Sequence, residues 1–286
     1  GSVKVRADVT KWWFLSYNLG LDTYTQTNSN RIAPGGAIKQ VWQKGMMSDN
    51  TMRFRYISHN FMSNMNKQFG KFDVNLMLGA SIEDTSTDRQ SMMAYNFSVT
   101  NFFSYANATN NNKDFSHSAS QKRLAGVFGE IRGSWNNTVF LTVTGRNDWT
   151  STLPKENRSY FYPSVSGSFV FTEPLMKAGI LDNNSVITFG KIRASWAEVG
   201  KDTGVYETST ALWPVGTYLE GLVGVGNNWE RGNPYLKPEK TRSTELGIEL
   251  AMFNNRLRFD YAYYTNDSYN QILSPRGPQS TGYIFC

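Results

Sequence analysis

Apolar and polar residues alternate along much of this chain. In residues 254–267, NNRLRFDYAYYTND, the apolar positions Leu257, Phe259 and Tyr261 alternate with mostly polar neighbours. The same period of two recurs in residues 12–22, 71–80, 124–133, 138–146 and 244–252. A period of two places successive side chains on opposite faces of a β-strand, whereas an amphipathic helix repeats about every 3.6 residues. The pattern predicts an all-β protein whose strands have one apolar face.

The connections between these strands are of two kinds that alternate along the chain. Short turns are expected near Thr10-Lys11, Gly70-Lys71, Asn136-Asn137 and Asn254-Asn255. Long polar links are expected at 25–50, 85–119, 149–159 and 200–238, and the link 173–185, where a short turn is due, has room for one helical turn. Antiparallel membrane barrels have short turns at one end and long loops at the other. The residues alone therefore favour a transmembrane barrel over a large soluble β protein, which stays open as an alternative.

Composition narrows the possible functions. The 286 residues include 14% aromatic residues and carry a net charge of +6. The Lys and Arg residues are scattered with no run of four or more, so they do not indicate the basic patch of a nucleic-acid-binding protein. No apolar stretch approaches the roughly 18–20 residues of a transmembrane helix. The single cysteine, Cys286, excludes a disulfide framework within the chain.

Four motifs in order carry a family resemblance. They are Gly-Arg-x-Asp from Gly145, Tyr-Pro-Ser-x-Ser from Tyr162, Lys-x-Arg-Ala-Ser from Lys191, and Asn-Pro-x-Leu-Lys-Pro-Glu from Asn233 followed by Phe-Asn-Asn-Arg-Leu. In this order and spacing the chain resembles the C-terminal barrel portion of SusC/RagA-like TonB-dependent outer-membrane transporters. The detailed match covers about 143–273, and the strand pattern extends it over 1–142.

The resemblance implies a partial antiparallel transmembrane β-barrel: about ten strands of a barrel of 22. Residues 1–286 are then expected to be a fragment of the barrel domain, without the plug domain and the barrel closure. The expected location is the outer membrane of a Gram-negative bacterium. The expected partners are a SusD-like surface lipoprotein, TonB through segments not in this chain, membrane lipid, and an oligosaccharide or peptide ligand, with no nucleic acid.

The function implied is energised import of an oligomeric nutrient, glycan or peptide. A passive outer-membrane barrel or adhesin is the alternative within the membrane class. A soluble carbohydrate-active β protein is the alternative outside it and would need a pair of acids at hydrolytic spacing. An upstream plug domain would distinguish the importer from a passive barrel.

Catalytic, metal and cofactor sites are not predicted. His59 and His117 have no second ligand at metal spacing, and the polar stretches 83–88 and 107–114 lack the pattern of an EF-hand. The expected place of Glu245 and Glu249 is the polar face of a strand, where lumen-lining carboxylates belong. Arg146 and Asp148 are expected to pair within the wall or at the base of a loop.

The candidate functional residues are aromatic side chains in the two longest links. Aromatic faces stack on sugar rings or pack against a peptide. The same residues could instead hold the loops together or meet a lid protein. The candidates for ligand or lid contact are Phe102, Phe103, Tyr105, Tyr206, Trp213, Tyr218 and Trp229.

Overall fold

A computed structural model describes residues 1–35, 40–182, 185–218 and 222–285, except for the side chains of residues 41, 214–218 and 222–223. Over these residues the chain is mostly β-strand, with almost no helix. The strands are β1 (Ser2–Asp8), β2 (Trp13–Ile32), β3 (Met46–Phe69), β4 (Phe72–Tyr95), β5 (Lys113–Trp135), β6 (Val139–Thr150), β7 (Ser159–Val170), β8 (Ile187–Lys201), β9 (Leu212–Tyr218), β10 (Leu222–Asn227), β11 (Glu239–Met252) and β12 (Leu257–Tyr269). One short helix, α1 (Thr172–Lys177), lies between β7 and β8. Among the described residues no helix is long and apolar enough to cross a membrane.

Ten strands form one sheet in the order β1-β2-β3-β4-β5-β6-β7-β8-β11-β12, and β9 and β10 form a separate hairpin. The all-β fold expected from the alternation is thus confirmed, and so is the number of about ten strands that the family resemblance implies. The chain divides into two compact units. Unit 1 comprises 1–3, 19–58 and 83–123, and unit 2 comprises 4–18, 59–82 and 124–286, so that β1 to β5 contribute residues to both.

In unit 2 the strand register separates apolar from charged side chains. Leu246 pairs with Tyr263, Ile248 with Tyr261 and Leu250 with Phe259 between β11 and β12, whereas Glu249 pairs with Asp260. Directly paired residues share one face of a sheet. The apolar set is not packed against a second sheet: Leu246 is 56% exposed and Tyr261 57%. The expected segregation of the two faces is confirmed.

The apolar face has the height of a membrane. On β6 this face carries Val139, Leu141 and Val143 and, beyond Gly145 and Asn147, ends at Trp149, about 34 Å from Val139 along the strand at about 3.4 Å per residue. At a strand tilt of about 40° this corresponds to about 26 Å, close to the roughly 25 Å apolar band of membrane barrels. Exposed aromatic side chains mark both ends, with Trp135 near the turn and Trp149 and Phe161 at the other end. Such aromatic girdles are typical of membrane–water interfaces.

The short turns occur where they were expected, and their residues explain why. Asn136 and Asn137, between β5 and β6, both have φ near +54°, and Asn254 and Asn255, between β11 and β12, have φ of 58° and 64°. Two successive left-handed residues form the turns whose twist matches that of the flanking strands, and asparagine tolerates this conformation.

The long links are shorter than the sequence predicts. The observed ranges between strands are 33–45, 96–112, 151–158 and 202–238. Residues 25–32, 85–95 and 113–119, expected in links, extend β2, β4 and β5 instead. These extensions are rich in Asn, Ser, Thr and Gln on both faces, so the apolar alternation that reveals a strand is missing there. The link 171–186 contains the expected helical turn, α1.

Candidate functional site

The link 96–112 in unit 1 has its own small core. Phe97 is 1% exposed and meets Phe103 edge to face, with ring centroids 5.6 Å apart. Gly45 has a φ of +98°, and a Cβ there would lie 3.0 Å from the Phe97 ring. The other core members are Met47, Ala94 and Ala108. The link is therefore a packed loop and not an open coil.

The buried side chain of Asn107 shapes the tip of this loop. Its Nδ2 donates to the carbonyl oxygens of Val99, at 2.8 Å, and Phe102, at 2.7 Å, and its Oδ1 accepts from the Val99 N–H at 2.9 Å. The backbone of residues 99–102 is thereby fixed from within. The ring of Phe102 is 57% exposed, so a rigid loop presents it to solvent.

Tyr105 ties the same loop to β3. Its Oη donates to Asp49 Oδ2 at 2.7 Å, while Asp49 Oδ1 accepts from Ser29 Oγ at 2.5 Å and Arg31 Nη1 at 3.0 Å. The hydrogen bonds from Ser29 and Tyr105, together with Arg31, lower the pKa of Asp49 below its usual 3.8. Burial and the Asp49 hydrogen bond raise the pKa of Tyr105 to about 12. Asp49 lies near the start of β3, about twenty residues before the turn at 70–71. A strand needs only about ten residues to cross a membrane, so Asp49 lies outside the membrane-spanning part of β3.

The link 202–238 in unit 2 is held together by close backbone contacts. Gly232 N donates to Thr210 Oγ1 at 3.1 Å, and Asn233 N donates to the Glu207 carbonyl at 3.0 Å. A Cβ on Gly232 would lie 2.3 Å from the Ser209 carbonyl carbon, which only glycine avoids. Two segments of the link therefore run side by side.

The aromatic candidates in this link differ in their exposure to solvent and in their hydrogen bonds. Tyr206 is 62% exposed and has a left-handed φ of 67°, and Trp229 is 63% exposed. Trp213 is 46% exposed, and its Nε1 donates to the Asn227 carbonyl at 2.8 Å. The side chain of Tyr218 lies outside the described residues. In unit 1, Phe102 is exposed, whereas Phe103 and Tyr105 pack in their loop.

A pocket of about 280 Å³ opens beside Tyr206. Its walls include Glu207, Glu230, Arg231 and Leu236. Glu230 accepts a hydrogen bond from Ser274 Oγ at 2.9 Å, and Glu207 accepts one from Thr203 Oγ1. The pocket combines an exposed ring with charges of both signs, a lining suited to a polar ligand.

The charged face of the sheet in unit 2 contains paired ions. Arg146 Nε donates to Asp148 Oδ1 at 2.8 Å, Arg146 Nη2 donates to Ser81 Oγ at 3.0 Å, and Tyr162 Oη donates to Asp148 Oδ2. Asp148 is 4% exposed, and each oxygen of its buried carboxylate accepts a hydrogen bond, as a buried charge requires. The expected pairing of Arg146 with Asp148 within the wall is confirmed.

A second ion network lies on this face between β8, β11 and β12. Arg193 is 3.2 Å from Glu245 and 3.0 Å from Asp260, and Lys191 Nζ is 2.6 Å from Glu249. Two cationic side chains thus offset most of the charge of three carboxylates within the wall, and the face is polar without a large net field.

Among the described residues no group of three or more His, Cys, Asp or Glu side chains could hold a metal ion. His59 bonds to Tyr17 Oη at 2.7 Å, and His117 bonds to Asp88 at 2.7 Å. Both histidines are single side chains with ordinary polar partners.

The wall and its connections are shared with a known protein family. A family model described as "TonB dependent receptor-like, beta-barrel" matches residues 3–285. The chain belongs to this family. The family expected from the four motifs is confirmed, and with it the expected location in the outer membrane.

Two curated relatives come from Formosa agariphila. TonB-dependent receptor P26 is 26% identical over 261 residues, covering 88% of this chain and 25% of the relative. TonB-dependent receptor P3 is 27% identical over 275 residues, covering 93% of this chain and 26% of the relative. The chain thus spans about a quarter of the length of the curated relatives that it matches.

Solved structures of a peptide transporter and a ferripyoverdine receptor share the fold of this chain. The RagAB peptide transporter matches with a TM-score of 0.87 and 18% identity, over 99% of this chain and 31% of that chain. The ferripyoverdine receptor of Pseudomonas aeruginosa matches with a TM-score of 0.58 and 14% identity, over 100% of this chain and 35% of the receptor chain. At these identities the similarity shows the fold alone.

Two residues that organise the loops were not identified from the sequence. Asn107 lies in the Asn-rich stretch 107–114, where the pattern predicts only a polar loop. Gly232 precedes the Asn-Pro motif at 233–234, and a glycine beside such a turn is a signal of close backbone approach. The bond from Tyr105 to Asp49 has no local signal, because the two residues are far apart in the chain.

Proposed function

We propose that this chain forms part of the wall and surface loops of a TonB-dependent importer for an oligomeric nutrient, peptide or glycan. The observation that carries the proposal is the family match over 3–285, almost the whole described chain. The longer transporter would supply the plug and the segment that contacts TonB. A SusD-like surface lipoprotein would act with it at the cell surface.

In this proposal the wall performs no chemistry. Its apolar face meets lipid, and its charged face lines the lumen with side chains already neutralised by pairs such as Lys191 with Glu249. A polar solute can then pass without being held by an unpaired charge. Energy from TonB, and not a binding gradient along the wall, would drive the import.

Ligand contact is proposed for the exposed aromatic side chains of the loops. Phe102, Tyr206 and Trp229 present rings to solvent from backbones that hydrogen bonds fix. A fixed ring loses little conformational entropy when a ligand stacks on it. Phe103, Tyr105 and Trp213 are proposed to act mainly through the shape of their loops, because packing or a hydrogen bond already engages them.

The test is growth on a single nutrient with the full-length protein present or deleted. One culture series receives a peptide mixture and another receives oligosaccharides, each with functional or deleted tonB. Growth that needs both the receptor and TonB on one nutrient class supports the proposal and names that class. Growth that needs the receptor but not TonB would indicate a passive barrel, and no growth phenotype on either nutrient would contradict import.

The lipoprotein partnership needs its own experiment. Affinity purification of the full-length transporter from outer membranes should recover a surface lipoprotein at a constant ratio. Purification with the link 202–238 shortened serves as the comparison, with barrel folding checked by heat-modifiable gel mobility. Recovery of the transporter alone under mild detergent would contradict the partnership without affecting TonB-dependent growth.

A further inference from the structure

Four neighbouring strands of unit 1, β2 to β5, form a polar groove. Its cavity measures about 290 Å³, near the lower end of the roughly 300–1,000 Å³ range of ligand sites, so it has room for one small ring. The polar side chains that line it include Gln26, Asn28, Asn50, Arg89, Ser116 and Ser118. We name this surface the Arg89 groove.

The groove lies on the polar side of β2. Thr27 and Thr51, on neighbouring strands, meet on the other side of the sheet, where their Oγ1 atoms are 3.3 Å apart. Successive side chains of a strand point to opposite faces, so Asn28 lies on the groove side and the exposed Leu21 on the side of Thr27. The groove is thus separated from the apolar side chain of its own strand.

Arg89 supplies an available cation to the groove. The neighbouring Asp88 points to the other face of β4, where it bonds to His117 at 2.7 Å. Arg89 is exposed, and it forms no ion pair or hydrogen bond within the described part of the chain. Its guanidinium has five N–H donors in a rigid fork that can bind two oxygen atoms of one ligand.

Carboxamides and hydroxyls surround this guanidinium. Gln26 Nε2 donates to Asn28 Oδ1 at 3.3 Å, and Ser91 Oγ donates to Asn50 Oδ1. Neither bond uses the amide protons of Asn28 and Asn50, which can therefore donate to a ligand. Closely spaced donors and acceptors match the hydroxyl groups of a sugar, each of which both donates and accepts hydrogen bonds.

An aromatic ring adjoins the groove. Tyr24 lies two residues before Gln26 on the same face of β2, and it stacks on Phe54 with ring centroids 4.9 Å apart and ring planes at 24°. Tyr24 is 49% exposed, so part of its ring is open to solvent. An amphipathic ring beside hydrogen-bonding groups suits the apolar face of a sugar.

The groove fits a peptide less well. Met52 is the single apolar residue among the described lining residues, and none of them has a carboxylate that could pair with an amino terminus. Peptides commonly bind by adding a strand to a free sheet edge or by inserting apolar side chains. The strands β2 to β5 are interior to the sheet, so they offer no free edge.

We propose that the Arg89 groove binds one sugar unit of an oligosaccharide. Tyr24 stacks on the ring, and Arg89 with the amides of Asn28 and Asn50 donates to hydroxyl or carboxylate oxygens of the sugar. This inference deepens the proposed import by naming its ligand class, and it rests on that import for its biological role. The binding itself is measured without TonB.

The test uses the full-length transporter in detergent on an array of neutral and uronic-acid-containing oligosaccharides. Isothermal titration then measures the affinity for the oligosaccharide that the array retains most strongly. The variants are Arg89→Gln, Asn28→Ala and Tyr24→Leu. Arg53→Gln is the matched control, because Arg53 is an exposed arginine on β3 that lies on the side of Thr51, opposite the groove. Gel mobility before and after heating shows that each variant is folded.

Each groove variant should bind the selected oligosaccharide about tenfold more weakly or worse, and Arg53→Gln should bind it as the wild type does. Equal affinity of the wild type and the folded groove variants would overturn the proposal. So would a wild-type transporter that retains no oligosaccharide on the array. Growth that is independent of TonB would instead refute the proposed import and leave the measured sugar binding unchanged.

Discussion

Tyr105, in the link between β4 and β5, donates a 2.7 Å hydrogen bond from its Oη to Asp49 Oδ2 on β3. The same Oη also lies 3.3 Å from the Met92 carbonyl. One phenol thereby connects a surface loop to two strands of the sheet. The loop that presents Phe102 is held by this bond and by the packing of Phe97.

Replacing Tyr105 with Phe should loosen the link 96–112 while the sheet stays intact. The change removes a hydrogen bond to a charged acceptor, which contributes about 1.5–3 kcal/mol when buried and less here, because Asp49 is 26% exposed. Hydrogen exchange in 96–112 should quicken severalfold, with no change in β6 or β7. Tyr95→Phe is the control, since its hydroxyl makes only a long 3.4 Å contact with the Asn111 carbonyl. Equal effects of the two variants would contradict the role of Tyr105.

The order of this loop should also depend on pH in the acid range. The folded pKa of Asp49 is lower than its usual 3.8, so the carboxylate stabilises the loop above that value, and the contribution is lost as pH falls through the lowered pKa. Hydrogen exchange corrected for its intrinsic pH dependence should be constant in 96–112 from pH 7 to pH 5 and rise only below pH 3.8. A rise centred near pH 6 would point to a different group.

The Arg146–Asp148 pair should show strong coupling in a double-mutant cycle. Removing one partner of a buried ion pair costs roughly 3–5 kcal/mol, and about 2 kcal/mol is expected for Arg146→Met because that side chain is 27% exposed. Asp148→Asn combined with Arg146→Met should cost less than the sum of the single changes, since the neutral amide leaves no unpaired charge in the wall. The measurement is urea unfolding of the full-length protein in lipid vesicles. Simple additivity would show that the two groups act independently.

The exposed loop aromatics should affect uptake without affecting assembly. Phe102→Ala, Tyr206→Ala and Trp229→Ala should each weaken ligand binding about threefold to tenfold, the effect of a lost aromatic contact. Val99→Ala and Val225→Ala are controls, since they are 59% and 66% exposed and lie in the same links. The readouts are ligand-dependent growth and heat-modifiable gel mobility in the full-length protein. Normal growth with all three aromatic residues replaced would reject them as ligand contacts.

The strands of the wall could be predicted from the sequence because the patterns that define them lie within single strands and turns. The alternation in 244–252 and 257–263 fixes which side chains share a face, and Asn136-Asn137 and Asn254-Asn255 fix the turns between strands. The strand extensions 85–95 and 113–119 could not be predicted, because strands with two polar faces look like loops.

The interior of the loops depends on contacts between distant residues. Phe97 packs against Met47, and Tyr105 bonds to Asp49, although no periodic pattern connects either pair. The sequence could therefore nominate aromatic residues in the links but could not separate exposed rings, such as Phe102, from packed ones, such as Phe103. That distinction required the three-dimensional contacts of the loop.

The central claim, that β6 is a membrane wall with one face on lipid and one on the lumen, is tested most directly by spin-label accessibility. Single cysteines at 139 to 144 in the full-length transporter, with native cysteines replaced, are labelled and reconstituted in lipid vesicles. Positions 139, 141 and 143 should collide preferentially with oxygen, which partitions into lipid, and positions 140, 142 and 144 with a water-soluble nickel chelate. Uniform accessibility along the strand, or the two sets exchanged, would contradict the account.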